Sequence, residues 1–215
     1  MSSQLVETTL YSLSEAPPRP LPSPERRDGE RHMSLYRVGS IKVGDRRELC
    51  LIKNISAGGM LIHAYCALPD DIPLSIELKS GQPIHGRVSW IRDQSVGISF
   101  DEPIDLIDIL SASMDGPRPR MPRIEAGGFV TLREGATSLR VKLCDISQGG
   151  VKLECATVLP IGAEVVVTLT DLPPQPGVLC WSADGHVGIT FNRLLPLGEL
   201  VAWLQAQREG MRTVS

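Results

Sequence analysis

With 215 residues, 42% of them hydrophobic, and a formal net charge of −3, the chain has ordinary globular composition and room for two compact domains. The small negative charge excludes an overall basic field of the kind that grips duplex nucleic acid, so any anion site must be a local cluster of arginines. The sequence lacks a long apolar run, which disfavours a membrane span, and its start lacks the basic and apolar regions of a secretion signal.

In chain order, residues 1–25 read as a disordered tail, because Ala16-Pro-Pro-Arg-Pro-Leu-Pro-Ser-Pro24 cannot pack regularly. Arg26-Arg27-Asp-Gly-Glu-Arg31 follows, at the junction with the first strand. From Glu48 onward, apolar and polar residues alternate. The turn Ser56-Ala-Gly-Gly59 separates two strands, and Ile72, Leu74, Ile76 and Leu78 mark a half-buried strand. Gly86–Ile91 and Val96–Phe100 form a hairpin around Arg92-Asp93-Gln94-Ser95. Ile104–Leu110 reads as a short closing helix. An arm from Pro24 to Tyr36 is expected to be loose in the absence of ligand.

The chain then repeats itself. Asn54-Ile-Ser-Ala-Gly-Gly59 returns as Asp145-Ile-Ser-Gln-Gly-Gly150, 91 residues later, and the same offset carries Trp90 onto Trp181 and Val96-Gly-Ile-Ser-Phe100 onto Val187-Gly-Ile-Thr-Phe191. Between 54 and 101 no gap is needed and 15 of 48 positions are identical. Chance would give roughly 3, so this is a duplicated domain, and its period exceeds that of solenoid repeats. About six short strands per copy, broken by frequent turns, argue a small antiparallel β-barrel. Pro196–Arg208 reads as a helix with Leu197, Leu200, Val201 and Leu204 on one face.

The expected organisation is a tail over 1–25, a first barrel over 26–112, a Pro/Arg-rich linker over 113–123, a second barrel over 124–208 and a flexible tail over 209–215. The five cysteines are odd in number and unmatched across the repeat, which favours reduced thiols in a cytoplasmic protein, two or three of them in cores. Trp90 and Trp181 are expected in the core or at a barrel end. His32, His63, His85 and His186 lack metal-ligand spacing, so no metal is expected. Ser56 and Ser147 lack a nucleophile elbow and a repeated histidine, which argues against an enzyme.

Asn54, Ser56 and Gly59 offer an amide, a hydroxyl and a close backbone just past a strand, and such a turn can be purely structural. The arginines ahead of it suggest more, because guanidinium suits both phosphate oxygens and the O6/N7 edge of guanine. R-x-x-x-R, then [D/N]-x-S-x-x-G, a G-x-V-x-W strand and a V-G-I-x-F strand together resemble the PilZ domain. The resemblance covers residues 26 to about 110 and again about 117 to 207, so the implied fold is mainly β, with two tandem six-stranded antiparallel PilZ-like barrels, each with a short closing C-terminal helix.

PilZ domains are bacterial receptors for cyclic di-GMP, and the resemblance implies a receptor or adaptor for that second messenger, with no other cofactor. Carried over, Arg27 and Arg31 match the arginine pair, with Arg26 an added phosphate contact, and Asn54, Ser56 and Gly59 match the second motif. In the second copy Asp145, Ser147 and Gly150 are intact. Arg118 matches Arg27, but Pro122 stands where Arg31 would, with Arg123 one residue later and Arg120 between. A second site of Arg118, Arg123, Asp145, Ser147 and Gly150 is therefore a degenerate candidate. The implied action is to relay the messenger's level to an unidentified protein partner in motility, polysaccharide or regulatory machinery, by ordering the arginine arm and changing the interdomain arrangement. The alternative is a PilZ-like adaptor that binds no nucleotide.

Overall fold

The computed structural model describes residues 33–78, 83–107 and 121–213. The expectations for residues 1–25, for Arg26, Arg27 and Arg31, for Arg118 and for most of the linker lie outside the described residues. The first barrel comprises β1 (Met33–Val43), β2 (Arg46–Ile55), β3 (Gly59–Ala64), β4 (Pro73–Glu77), β5 (Ile84–Arg92) and β6 (Ser95–Phe100). These strands close in the order β1-β2-β3-β6-β5-β4, all pairs antiparallel, with β4 returning to β1.

The second barrel comprises β7 (Ile124–Glu125), β8 (Phe129–Glu134), β9 (Thr137–Ser147), β10 (Gly150–Glu154), β11 (Glu164–Thr168), β12 (Gln175–Ala183) and β13 (His186–Phe191), followed by α1 (Leu197–Thr213). Its ring is β9-β10-β13-β12-β11-β8, and β7 pairs with the far end of β9. The extra strand is the repeat's first strand in two pieces. Met33↔Ile55 and Ser34↔Asn54 become Ile124↔Ile146 and Glu125↔Asp145, at the offset seen in the sequence. The first copy accommodates the same stretch as a register shift between Ser34 and Arg37.

Alternation builds each core. Leu74 and Ile76 of β4 point inward while Pro73, Ser75 and Glu77 do not, and Val165 and Val167 of β11 repeat the pattern. Ile41, Ile52, Ile62 and Ile76 fill the first barrel, and Leu132, Ile146, Leu153 and Leu179 fill the second. Each such side chain contributes about 1.5–3 kcal/mol by leaving water.

Several details differ from the sequence reading. Met33–Tyr36, expected in the loose arm, are already part of β1. Leu106 and Ile107 are helical, and Asp105 Oδ1 accepts the Ile107 N–H at 2.8 Å, a helix-start bond. The rest of that expected helix lies outside the described residues. The helix α1 continues to Thr213 instead of ending near Arg208, and so runs into the stretch expected as a tail. Glu209, Met211 and Arg212 are good helix formers, and the single Gly210 costs only about 1 kcal/mol. The buried face of α1 also carries Trp203, whose indole Nε1 donates to the Thr170 carbonyl at 2.8 Å.

Both tryptophans of the repeat stand on the outer barrel surface, Trp90 at 42% and Trp181 at 38% exposure, instead of in a core or at a barrel end. The cause is a register shift just before each, between Val88 and Trp90 and between Leu179 and Trp181, which turns the indole outward. The described cysteines are free thiols, with Cys50 and Cys155 buried.

The two barrels share packing. Leu49 of β2 is buried in the second barrel's core cluster, while its neighbours Cys50 and Ile52 belong to the first. Helix α1 makes the polar part of the contact. Gln205 Nε2 donates to the Tyr65 carbonyl at 2.7 Å, and Arg208 pairs with Glu48 and donates to the Arg47 carbonyl at 3.2 Å.

Candidate functional site

The repeated turn is built the same way twice. Ser56 Oγ donates to the Gly59 carbonyl at 3.2 Å, and Ser147 Oγ donates to the Gly150 carbonyl at 3.2 Å. Both hydroxyls are buried, at 2% and 3% exposure, so they hold the turn and do not face solvent. The glycines are required by crowding. A Cβ on Gly59 would overlap the Ile98 carbonyl, and one on Gly150 would overlap the Ile189 carbonyl. Neither glycine has a positive φ.

The first residue of the motif behaves differently. The β2–β3 ladder slips between Ile52 and Asn54, leaving Lys53 as the extra residue, and β9 slips at the equivalent Cys144. Each bulge brings Asn54 or Asp145 to a half-buried outer position, opposite Ser34 or Glu125 on the incoming strand. The Asn54 side chain makes no hydrogen bond among the described residues. Asp145 is ion-paired with Arg123 at 2.5 Å. The displaced arginine of the second copy therefore does reach its motif, although Pro122 takes the position that matches Arg31.

Asp145 and Arg123 open onto a cleft of about 530 Å³ between the barrels. Its other wall is the β1–β2 hairpin, with Lys42, Arg46 and Arg47, and Arg208 of α1 lies at its edge. Arg47 is engaged with Glu77 at 2.7 Å and Arg208 with Glu48, while Lys42 and Arg46 form no ion pair among the described residues. Arg47, Arg123 and Arg208 are thus balanced by Glu77, Asp145 and Glu48, and Lys42 and Arg46 share the cleft with Asp45 and Glu125, so cations and carboxylates nearly balance there. In this concave site Lys42 and Arg46 are the cations not held by an ion pair among the described residues, and so the ones open to an anionic group.

The sequence reading missed the residues on the far wall because they belong to the other copy. The signal available was the Arg46-Arg47 doublet, which has no counterpart at Thr137-Ser138. The first copy's arginines lie outside the described residues, so the structure brings together Asn54, Ser56 and Gly59 there, and Arg123, Asp145, Ser147 and Gly150 in the second copy. Among the described residues, no helix is long and apolar enough to cross a membrane.

A family model described as PilZ domain matches residues 25–112 and again 117–206. Comparison with curated protein sequences gives no match. Among solved structures, the chain is similar to PlzA of Borreliella burgdorferi in complex with c-di-GMP, at 11% identity and a TM-score of 0.38, covering 80% of this chain and 87% of that one. YcgR of Escherichia coli in complex with c-di-GMP is 14% identical with a TM-score of 0.34, over 84% of this chain and 89% of that one. MotI/DgrA of Bacillus subtilis, an inhibitor of motility, is 14% identical with a TM-score of 0.33, over 84% and 99%.

Proposed function

The chain belongs to the PilZ domain family in two tandem copies, and from that membership we propose that it is a non-catalytic receptor for cyclic di-GMP that relays the messenger's level to a protein partner. The observation that carries this reading is the division of labour in the repeated motif. The fold uses Ser56 and Gly59 to hold the turn, and it leaves the Asn54 amide outward with no partner among the described residues. An amide oxygen can accept the N–H donors of a guanine, and Arg26, Arg27 and Arg31 supply the complementary donors for phosphate oxygens and the O6/N7 edge. Two phosphates and two guanines call for planar, charge-assisted donors of this kind.

In the second copy, Arg123 and Asp145, with Arg118, form the candidate second site, on turns held by Ser147 and Gly150. In the cleft beside it, Lys42 and Arg46 are open to the phosphates of a ligand at that position. The alternative, an adaptor that binds no nucleotide, draws support in this copy from the Arg123–Asp145 pair, which satisfies both groups without any ligand.

Relay follows from where the arm enters. Residues 24–32 precede β1, whose first pairs, Met33↔Ile55 and Ser34↔Asn54, lie beside the motif. Ligand held by Arg27, Arg31 and Asn54 would tie this arm to the barrel, an order change that a partner can read. A ligand in the cleft would touch both barrels and bias their arrangement.

Trypsin digestion with and without cyclic di-GMP tests the relay. Cleavage after Arg26, Arg27 and Arg31 should slow at least several-fold at saturating ligand. Unchanged cleavage with ligand demonstrably bound would remove the arm-ordering mechanism, and no binding would remove the receptor.

A further inference from the structure

We propose that the second barrel carries a divalent transition-metal site, suited to zinc(II), formed by Cys144, Glu154 and His186. These residues are far apart in sequence, but they lie on three neighbouring strands. Glu154 of β10 directly faces His186 of β13, and Cys144 is the extra residue of the β9 bulge beside them. One ligand atom from each, a thiol sulfur, a carboxylate oxygen and an imidazole nitrogen, lies within 4.8 Å of the other two. Zinc bonds of about 2.0–2.3 Å place tetrahedral ligands roughly 3.3–3.8 Å apart, so closure needs a movement of about 1 Å. Glu154 is exposed and can supply it by rotation.

Two further observations favour a metal over a chance cluster. His186 Nδ1 lies 2.8 Å from the Asp184 carbonyl oxygen. A carbonyl can only accept, so Nδ1 carries the proton and Nε2 keeps its lone pair, the arrangement by which a second partner prepares a ligating histidine. The first copy provides the internal comparison. Its equivalent positions are Lys53, His63 and Ser95, where Lys53 Nζ donates to Ser95 Oγ at 3.4 Å. The barrel therefore closes without a thiol or carboxylate here, and the fold does not account for Cys144.

The donor set selects the ion. One soft thiolate, one imidazole and one carboxylate match zinc better than calcium or magnesium, which prefer all-oxygen shells. Three protein ligands leave a fourth position for water or for a group from a partner. The competitor is Lys142, whose Nζ lies 3.2 Å from Glu154 Oε2. That pair is exposed on both sides and so is weakly held, and Glu154 retains its other oxygen.

The test uses the full chain, reduced and stripped with a chelator, titrated with cobalt(II) and followed by absorbance, and then with zinc(II) in competition. The expected result is one cobalt per chain with a near-ultraviolet thiolate-to-metal band, displaced by zinc. Cys144→Ser should abolish the band, and His186→Ala should weaken binding at least tenfold. Cys180→Ser, which alters an exposed thiol elsewhere on the barrel, should change neither. Thermal unfolding of each variant confirms that it is folded. A titration without the thiolate band, or a band that persists in Cys144→Ser, overturns the proposal. Because no nucleotide is present, either result leaves the receptor reading to be judged separately.

Discussion

The indole of Trp181 covers Gly188 on the adjacent strand, so closely that any Cβ at Gly188 would overlap the ring, and Trp90 covers Gly97 in the same way. The pairing explains why two large aromatics can stand on an outer barrel surface. The missing side chain gives the ring a flat backbone seat, and the register shift beside each tryptophan aims it there. In the first copy the guanidinium of Arg92 adds a cation–π contact at 5.4 Å.

Gly188→Ala and Gly97→Ala should each lower stability by about 1–3 kcal/mol, because the indole must leave its seat or the strands must part. Urea unfolding followed by tryptophan fluorescence checks this, with a shifted emission maximum in the folded baseline. Gly127→Ala is the control. A Cβ there meets nothing within 4 Å, so its effect should stay within about 0.5 kcal/mol.

The roles within the motif should separate by variant. Gly59→Ala forces a methyl against the Ile98 carbonyl and should destabilise the first barrel, whatever it does to ligand. Asn54→Ala removes an outward amide and should leave the unfolding midpoint nearly unchanged. It should still weaken cyclic di-GMP binding by about 5- to 150-fold, the equivalent of about 1–3 kcal/mol for one base-edge contact. Equal losses of stability in both variants would make Asn54 a turn residue like Ser56.

The duplication was legible because identical residues recur at one offset, and most strands were legible because Leu74/Ile76 and Val165/Val167 alternate. The first strand was harder to delimit. Its register shift after Ser34 in one copy and its division into β7 and β8 in the other break the period of two that marks a strand. The outward turn of Trp90 and Trp181 was hidden for the same reason, since one extra residue reverses the face a side chain takes. The motif residues could be named from sequence. The far wall of the cleft could not, because Lys42 and Arg46 reach it only through the packing of one barrel against the other. Leu49 looks like an ordinary core residue in sequence, yet its core is the neighbouring domain's.

That shared packing should make the barrels unfold together. Leu49→Ala removes a buried side chain from the second barrel's cluster and should cost about 2–5 kcal/mol. Arg208→Ala strips the mostly buried Glu48 of its partner and should cost about 1–3 kcal/mol. The double variant should split one cooperative denaturation into two transitions. A single transition with an unchanged midpoint would show that the interface contributes little.

Alkaline pH should destabilise the first barrel. Burial, with the neighbouring Cys66 adding to it, pushes the Cys50 thiol from an ordinary value of 9.0 up to about 12. Burial and then Glu48 raise Cys66, and burial and then Cys50 raise Tyr65. The unfolded chain releases these protons first. Their contribution is therefore complete below about pH 9 and is lost as pH climbs toward 12. Urea midpoints should fall between pH 8.5 and 10.5 (about the onset of that window), and Cys50→Ala should reduce the fall. The same burial should leave Cys50 unreactive to alkylation in the folded chain while exposed Cys180 reacts.

Calorimetric titration of the full chain with cyclic di-GMP tests the central claim most directly. Saturable binding is expected, lost in Arg27→Ala/Arg31→Ala if the first copy holds the site, with any additional ligand removed by Arg123→Ala. Absence of heat and of competition with a labelled analogue at high ligand concentration would contradict the account and leave a PilZ adaptor that works without nucleotide.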